Sequence, residues 1–289
     1  MKALVWIGRA LGALGMIVVL LFAAGWLYAR HAANKVYVVN DPPLAMPTDA
    51  ERLARGEHLF ITKGCSDCHG RDGSGLEVVD AGPVFRAIGS NITPPALAAK
   101  GYDADRIAAA IRHGVKPDGR PLFFMPAGDF VNLSDADTAD LIAYIQNLPP
   151  SDSDPGTSTL RPLGWVLHLF GQFPAYPAAQ LDHTPRQRTA PPVAASVEYG
   201  AYLAQVCTGC HGTNLAGLPP HAPGAPPAAD LTPRGLQGWS EADFVRVMRE
   251  GKRPDGRELH PMMPWRTLGQ LSDVELQALW LYLRSLPEA

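Results

Sequence analysis

Hydrophobic and polar positions divide the chain into one long apolar run followed by two stretches of short amphipathic segments. From Ala10 to Ala29, twenty consecutive residues carry no charge and are rich in Leu, Val, Ala and Gly. Arg9 precedes the run, and Arg30, His31 and Lys35 follow it. Twenty helical residues span about 30 Å, the thickness of a bilayer core. A cleaved secretory signal has an apolar region of only roughly 7–15 residues. Length therefore favours an uncleaved transmembrane helix, with Trp26 and Tyr28 in an interfacial aromatic belt. Lys2 and Arg9 on one side are balanced by Arg30 and Lys35 on the other, so charge does not orient the span.

Beyond the run, the periodicity predicts helices, and the pattern occurs twice. A helix through Leu53 to Phe60 is answered by one through Tyr199 to Val206. Ile107, Ala110 and Ile111, stopped by Gly114, correspond to Phe244, Val247 and Met248, stopped by Gly251. Pro117-Asp118-Gly119-Arg120 and Pro254-Asp255-Gly256-Arg257 are matching turns. Each copy ends in a helix, one with the stripe Leu141, Ile142, Ile145 and Leu148, the other with Leu276, Leu279, Trp280, Leu283 and Leu286. Ser134 with Asp137, Ser272 with Glu275, and Ser240 with Asp243 predict capping boxes, and Pro149 and Pro287 end the final helices. The organisation is an N-terminal anchor over 1–35, a first domain over 50–150, a Pro-rich linker over 151–195 and a second domain over 196–289. Within the linker, Trp165, Val166, Leu167, Leu169 and Phe170 predict a short helix, expected to pack between the domains, with contact to the membrane as the alternative.

Each domain opens on the same chemistry. Cys65-Ser66-Asp67-Cys68-His69 recurs 142 positions later as Cys207-Thr208-Gly209-Cys210-His211. Positions i, i+3 and i+4 share one face of a helical turn. Two thiols can thus reach the vinyl groups on one porphyrin edge while an imidazole reaches the iron, which is the signature of covalent haem c. A zinc ribbon would place its second pair about 15–20 residues on, and a thioredoxin-like motif would sit in an alternating strand and helix pattern. Neither surrounds these motifs, and they consume all four cysteines. Two haems c are expected.

A second axial ligand follows in part by elimination. Between the two motifs the one methionine is Met125, followed by Pro126. The second copy offers Met248, Met262 and Met263; Met248 falls on an apolar stripe, and Met263-Pro264 stands eight residues before Leu271 as Met125 stands eight before Leu133. Met263 is the expected ligand, with Met262 open as its alternative. His113 in the first copy, and His221 or His260 in the second, are the histidine competitors; a bis-His haem would have a lower potential than a His/Met one.

Composition narrows little further. At 289 residues with 46% hydrophobic content and a net charge of −3, the chain fits a globular protein with one membrane segment. So small a charge argues against nucleic acid as a partner.

The order Cys-x-x-Cys-His, Asn91 or Asp230 before x-Thr-Pro, Asp-Gly-Arg, Met-Pro and Leu-Ser-Asp resembles tandem class I cytochrome c domains. It is most similar to the membrane-bound cytochrome c subunits of alcohol, aldehyde and gluconate dehydrogenases. Members of that family commonly carry three haem motifs, whereas this chain has two. The resemblance implies a mainly α fold, an N-terminal transmembrane helix followed by two class I cytochrome c-like helical domains. It implies haem-binding by Cys65 and Cys68 with His69 and Met125 axial, and by Cys207 and Cys210 with His211 and Met263 axial. It also implies haem domains in the periplasm, on an anchor in the cytoplasmic membrane. The expected function is single-electron transfer between a dehydrogenase or quinol and a downstream cytochrome or oxidase, without catalysis of its own. A dihaem enzyme, peroxidase-like or thiosulfate-oxidising, is the alternative; it would need an exchangeable iron position or a further cysteine.

Overall fold

The computed structural model describes residues 2–220 and 225–287. It is about 48% helical with little sheet. The apolar run lies within α1, Lys2–Asn34, a helix long and apolar enough to cross a membrane and almost wholly exposed.

The first repeat comprises α2 (Ala50–Thr62), α3 (Cys65–His69), β1 (Leu76–Asp80), β2 (Phe85–Gly89), α4 (Pro94–Ala99), α5 (Ala104–His113) and α6 (Asp135–Gln146). The connecting segment holds β3 (Thr159–Leu160) and α7 (Pro162–Leu169). The second repeat contains α8 (Val197–Leu203), α9 (Thr208–His211), α10 (Glu241–Glu250), α11 (Trp265–Leu268) and α12 (Asp273–Ser285). Except for the partly buried Leu286, both predicted final stripes are buried, as are the apolar faces of α5 and α10, and one continuous core runs through both repeats. Gly114 (φ 63°) and Gly251 (φ 70°) end α5 and α10 in the left-handed conformation that glycine adopts without strain.

The closest packing in each repeat is the crossing of its first and last helices, α2 on α6 and α8 on α12. A Cβ at Gly56 would overlap the Asp140 carbonyl, and one at Gly200 would overlap that of Ala278. Only a residue without a side chain lets the backbones meet there.

Three features depart from the sequence reading. A hairpin interrupts the first repeat: β1 pairs antiparallel with β2 (Leu76↔Gly89, Asp80↔Arg86), with an irregularity between Glu77 and Val79. Strand β3, from the linker, adds to the other edge of β2 (Phe85↔Leu160). The hairpin follows from β-branched Val78, Val79 and Ile88 around an Asp80-Ala81-Gly82-Pro83 turn, in which Gly82 N donates to Asp80 Oδ1 at 2.9 Å. The linker helix α7 packs on α1 rather than between the repeats. Finally, the capping boxes form at Ser240/Asp243 and Ser272/Glu275 but only half forms at α6. Asp137 N donates to Ser134 Oγ at 3.1 Å, whereas Ser134 N donates to the Tyr202 hydroxyl at 3.0 Å. The Asp137 carboxylate is engaged elsewhere, by Arg55 and Tyr202.

Replacing Gly56 with Ala is expected to destabilise the fold by about 1–3 kcal/mol, the usual cost of forcing atoms into a packed contact. Gly128→Ala, whose added Cβ meets nothing closer than 3.7 Å, should stay within about 0.5 kcal/mol. Urea denaturation followed by circular dichroism measures both.

Candidate haem sites

Helix α3 starts from Gly64 (φ 76°) and presents Cys65, Cys68 and His69 on a single turn. Cys65 and His69 line one cleft together with Met125. The remaining wall is largely aliphatic, including Ile92, Leu97, Ile107, Ile111, Leu122 and Ile145, with Asn91, Lys100 and Tyr102 as polar members. A largely apolar wall carrying one thiol for attachment, one thioether and one imidazole suits a flat apolar macrocycle with a metal at its centre.

The imidazoles are held in the tautomer that such a ligand needs. His69 Nδ1 donates to Ser90 O at 2.7 Å, and His211 Nδ1 donates to Ala229 O at 2.7 Å. With the proton fixed on Nδ1, the lone pair of Nε2 is free for a metal. Burial lowers the pKa of His69, favouring the neutral form that ligates.

The Asn/Asp-x-Thr-Pro signature has its physical reason here. Asn91 Oδ1 accepts from Thr93 N (2.9 Å) and Thr93 Oγ1 (2.7 Å), and Asp230 Oδ1 accepts from Thr232 N (2.8 Å) and Thr232 Oγ1 (2.6 Å). Each turn fixes the residue before it, and that residue supplies the carbonyl to the histidine.

The methionines sort in the same way. Met125 follows Phe124, a non-glycine residue at φ 65°, so the cleft-side loop carries backbone strain beside its sulfur donor. In the second repeat Met263 packs against the core, Met248 is inside it, and Met262 is 50% exposed. His113 is fully buried with both ring nitrogens occupied, by Asp41 Oδ2 and by His183 Nδ1, each at 3.0 Å. His260 is exposed, and His221 lies outside the described residues.

The cytochrome c family model matches residues 53–149 and 197–287, nearly two-thirds of the chain and both of its repeats. The chain belongs to the cytochrome c family. The fructose dehydrogenase cytochrome subunit of Gluconobacter japonicus is 28% identical over 311 residues, covering 96% of this chain and 60% of that protein. A diheme cytochrome c-type protein of Cereibacter sphaeroides is 27% identical, with 94% and 97% covered. The cytochrome c subunit of a quinone alcohol dehydrogenase from Gluconacetobacter polyoxogenes is 26% identical, with 84% and 58% covered. The chain thus spans about 60% of the length of the two dehydrogenase subunits.

The two cytochrome c segments meet along a reciprocal seam that sequence reasoning missed. Arg55 and His58 stand one before and two after Gly56; Tyr199 and Tyr202 stand one before and two after Gly200. His58 Nε2 donates to Glu275 Oε2 and the Tyr202 hydroxyl donates to Asp137 Oδ2, each at 2.7 Å and each across the seam. Arg55 binds Asp137 at 3.2 Å and Glu275 at 3.5 Å, while Tyr199 donates to Glu275 at 3.2 Å.

Nearer the haem motifs the exchange repeats. Asp129 and Thr267 each stand four residues after the expected methionine ligand, and Asp67 and Gly209 each follow the first motif cysteine by two. Thr267 Oγ1 donates to Asp67 Oδ1 at 2.6 Å, and a Cβ at Gly209 would come within 3.0 Å of Asp129 Oδ1. Hydrogen-bonding side chains at −1 and +2 of each crossing glycine, Arg55 and His58 in one copy and Tyr199 and Tyr202 in the other, were the available signal. Nothing in one sequence says that both sets face each other.

Burial acts to raise the Glu275 carboxyl, but hydrogen bonds from His58 and Ser272 outweigh it and hold the pKa down at about 2 against an ordinary 4.5. Glu275 thus contributes stability that is complete above 4.5 and is lost as pH falls toward 2. The expected contribution is at most about 3 kcal/mol. Glu275→Gln should lower the denaturation midpoint at pH 6, and its deficit relative to the native chain should close between pH 4.5 and 2. Parallel urea titrations across that range measure it.

Proposed function

We propose that the protein is a membrane-anchored dihaem electron carrier. Cys65 and Cys68 would hold one haem c, with His69 and Met125 as its iron ligands; Cys207 and Cys210 would hold the other, with His211 and Met263. When bound, such a haem exchanges single electrons, with its potential set by ligands, burial and hydrogen bonds. The chain's own residues contribute the dry cleft, the fixed imidazole tautomers and the seam.

The reciprocal seam is the observation that carries the reading. Each attachment motif abuts the segment that follows the other segment's methionine, so the two sites share one boundary rather than lying at opposite ends of the molecule. That arrangement suits transfer from one site to the next. Relatives that are cytochrome subunits of fructose and alcohol dehydrogenases support a dehydrogenase as electron donor. A downstream cytochrome, oxidase or quinone is the acceptor. α1 anchors the chain in the cytoplasmic membrane, and the haem domains face the periplasm, where haem c is attached in this family.

A pyridine haemochrome assay should return two haems c per chain. Met125→Ala and Met263→Ala should each retain both haems, lose about half of the far-red methionine-to-iron band and lower one midpoint potential. Met262→Ala should change neither. Loss of the band in Met262→Ala, or its survival in full in Met125→Ala, overturns the corresponding ligand.

A further inference from the structure

Of the two settings expected for helix α7, between the domains or at the membrane, the fold takes it away from the first and onto α1. It lies against the last two turns of the uncharged stretch of α1. Gly25 and Ala29, four residues apart, are buried there, and a Cβ at Gly25 would meet the Trp165 carbonyl carbon at 3.0 Å and Val166 N at 3.1 Å. Such small-xxx-small spacing lets two backbones approach closely. The His168 ring lies 5.1 Å from that of Tyr28. This contact falls within about 6 Å of the end of the uncharged stretch, at 1.5 Å per residue.

The same helix is bolted to the first cytochrome c segment. Arg161 N donates to Val84 O at 2.9 Å, Leu163 N to Pro83 O at 3.1 Å, and Phe173 stacks on Phe85 at 4.7 Å. Phe124, beside Met125, donates its N–H to Ala175 O at 3.0 Å. From Pro162 to Gly171 the segment carries no Lys, Arg, Asp or Glu. Its one ionisable side chain, His168, gives its Nδ1–H to Phe173 O at 2.9 Å. Leu163 and Phe170, seven apart and therefore on one helix face, are 40% and 61% exposed.

We propose that α7 is a second membrane contact, with Leu163 and Phe170 seated at the boundary of headgroups and acyl chains beside α1. The inference rests on the reading of α1 as an anchor. The lipid surface is the occupant because the exposed face is continuous with the apolar helix that it packs on, at the depth where an interfacial helix lies. The contact holds the first segment, with its methionine loop, at a fixed attitude to the bilayer.

The test uses the full-length haem-loaded chain in nanodiscs of phosphatidylcholine and phosphatidylglycerol. p-Benzoylphenylalanine replaces, one at a time, Leu163, Phe170, Leu20 on α1, and Val274 and Leu281 on the exposed face of α12. Irradiation followed by mass spectrometry counts lipid adducts. Adducts at Leu163 and Phe170 comparable to those at Leu20, and several-fold above those at Val274 and Leu281, are the expected result. Adducts at Leu20 with only the α12 level at Leu163 and Phe170 overturn the second contact while leaving the anchor intact. Absence of adducts at Leu20 overturns the anchor itself.

Discussion

At Gly56 and Gly200 two helices pass so close that the carbonyls of Asp140 and Ala278 occupy the space a side chain would need. The rest of the cytochrome c segments follows from that contact. It aligns α2 and α8, the helices that lead into the attachment turns, on the last helix of each repeat. It also sets the N-termini of α6 and α12 beside the residues flanking each glycine. Arg55 and His58, Tyr199 and Tyr202 then have one shared place to go, the carboxylates of Asp137 and Glu275. A crossing made for packing inside one segment thereby determines how two segments join.

The seam is polar although the core around it is continuous. Glu275 and Asp137 side chains are 2% and 9% exposed, so both carboxylates are substantially desolvated and need their partners. Burying charge gains little net stability over an apolar contact, but breaking such a network is expensive. Its value here is in registry. An apolar interface tolerates sliding, whereas two carboxylates read by two different sets of donors define one alignment. That alignment keeps each attachment turn against the other segment's methionine-bearing loop. Ser134 shows the coupling at its most direct: the backbone N–H of this N-cap of the first segment's final helix donates to a tyrosine of the second.

Local features were legible in the sequence because their causes are local. The attachment turns, the Asn91 and Asp230 turns, the glycine stops of α5 and α10 and the buried stripes of α6 and α12 each depend on residues within a few positions. What escaped depends on distance along the chain. The β1–β2 hairpin has a broken alternation at Glu77–Val79 and gains its third strand from residues some seventy positions later. His58 reads as an ordinary surface position until Glu275, 217 residues away, is brought to it. Helix α7 has the composition of a core helix, and sequence alone does not say whether its neighbour is one of the repeats or α1. Met263 and Met262 are open by spacing; the fold sets Met263 against the core and leaves Met262 50% exposed, a difference that spacing does not carry.

The arrangement has a polarity that the repeat itself lacks. The first segment carries the attachments on the α1 side: α7 on α1, the β3 edge, Asp41 bound to His113 and Arg188, and Tyr37 bound to Gly119. The second shares the core and the seam with the first. The two repeats therefore acquire different surroundings, one tied to α1 through α7 and the strained Phe124 loop, the other reached through its neighbour. The potential of a haem depends on burial and hydrogen bonding as well as on ligands, so in the proposed carrier this unlike mounting is itself a source of unequal potentials, and hence of direction.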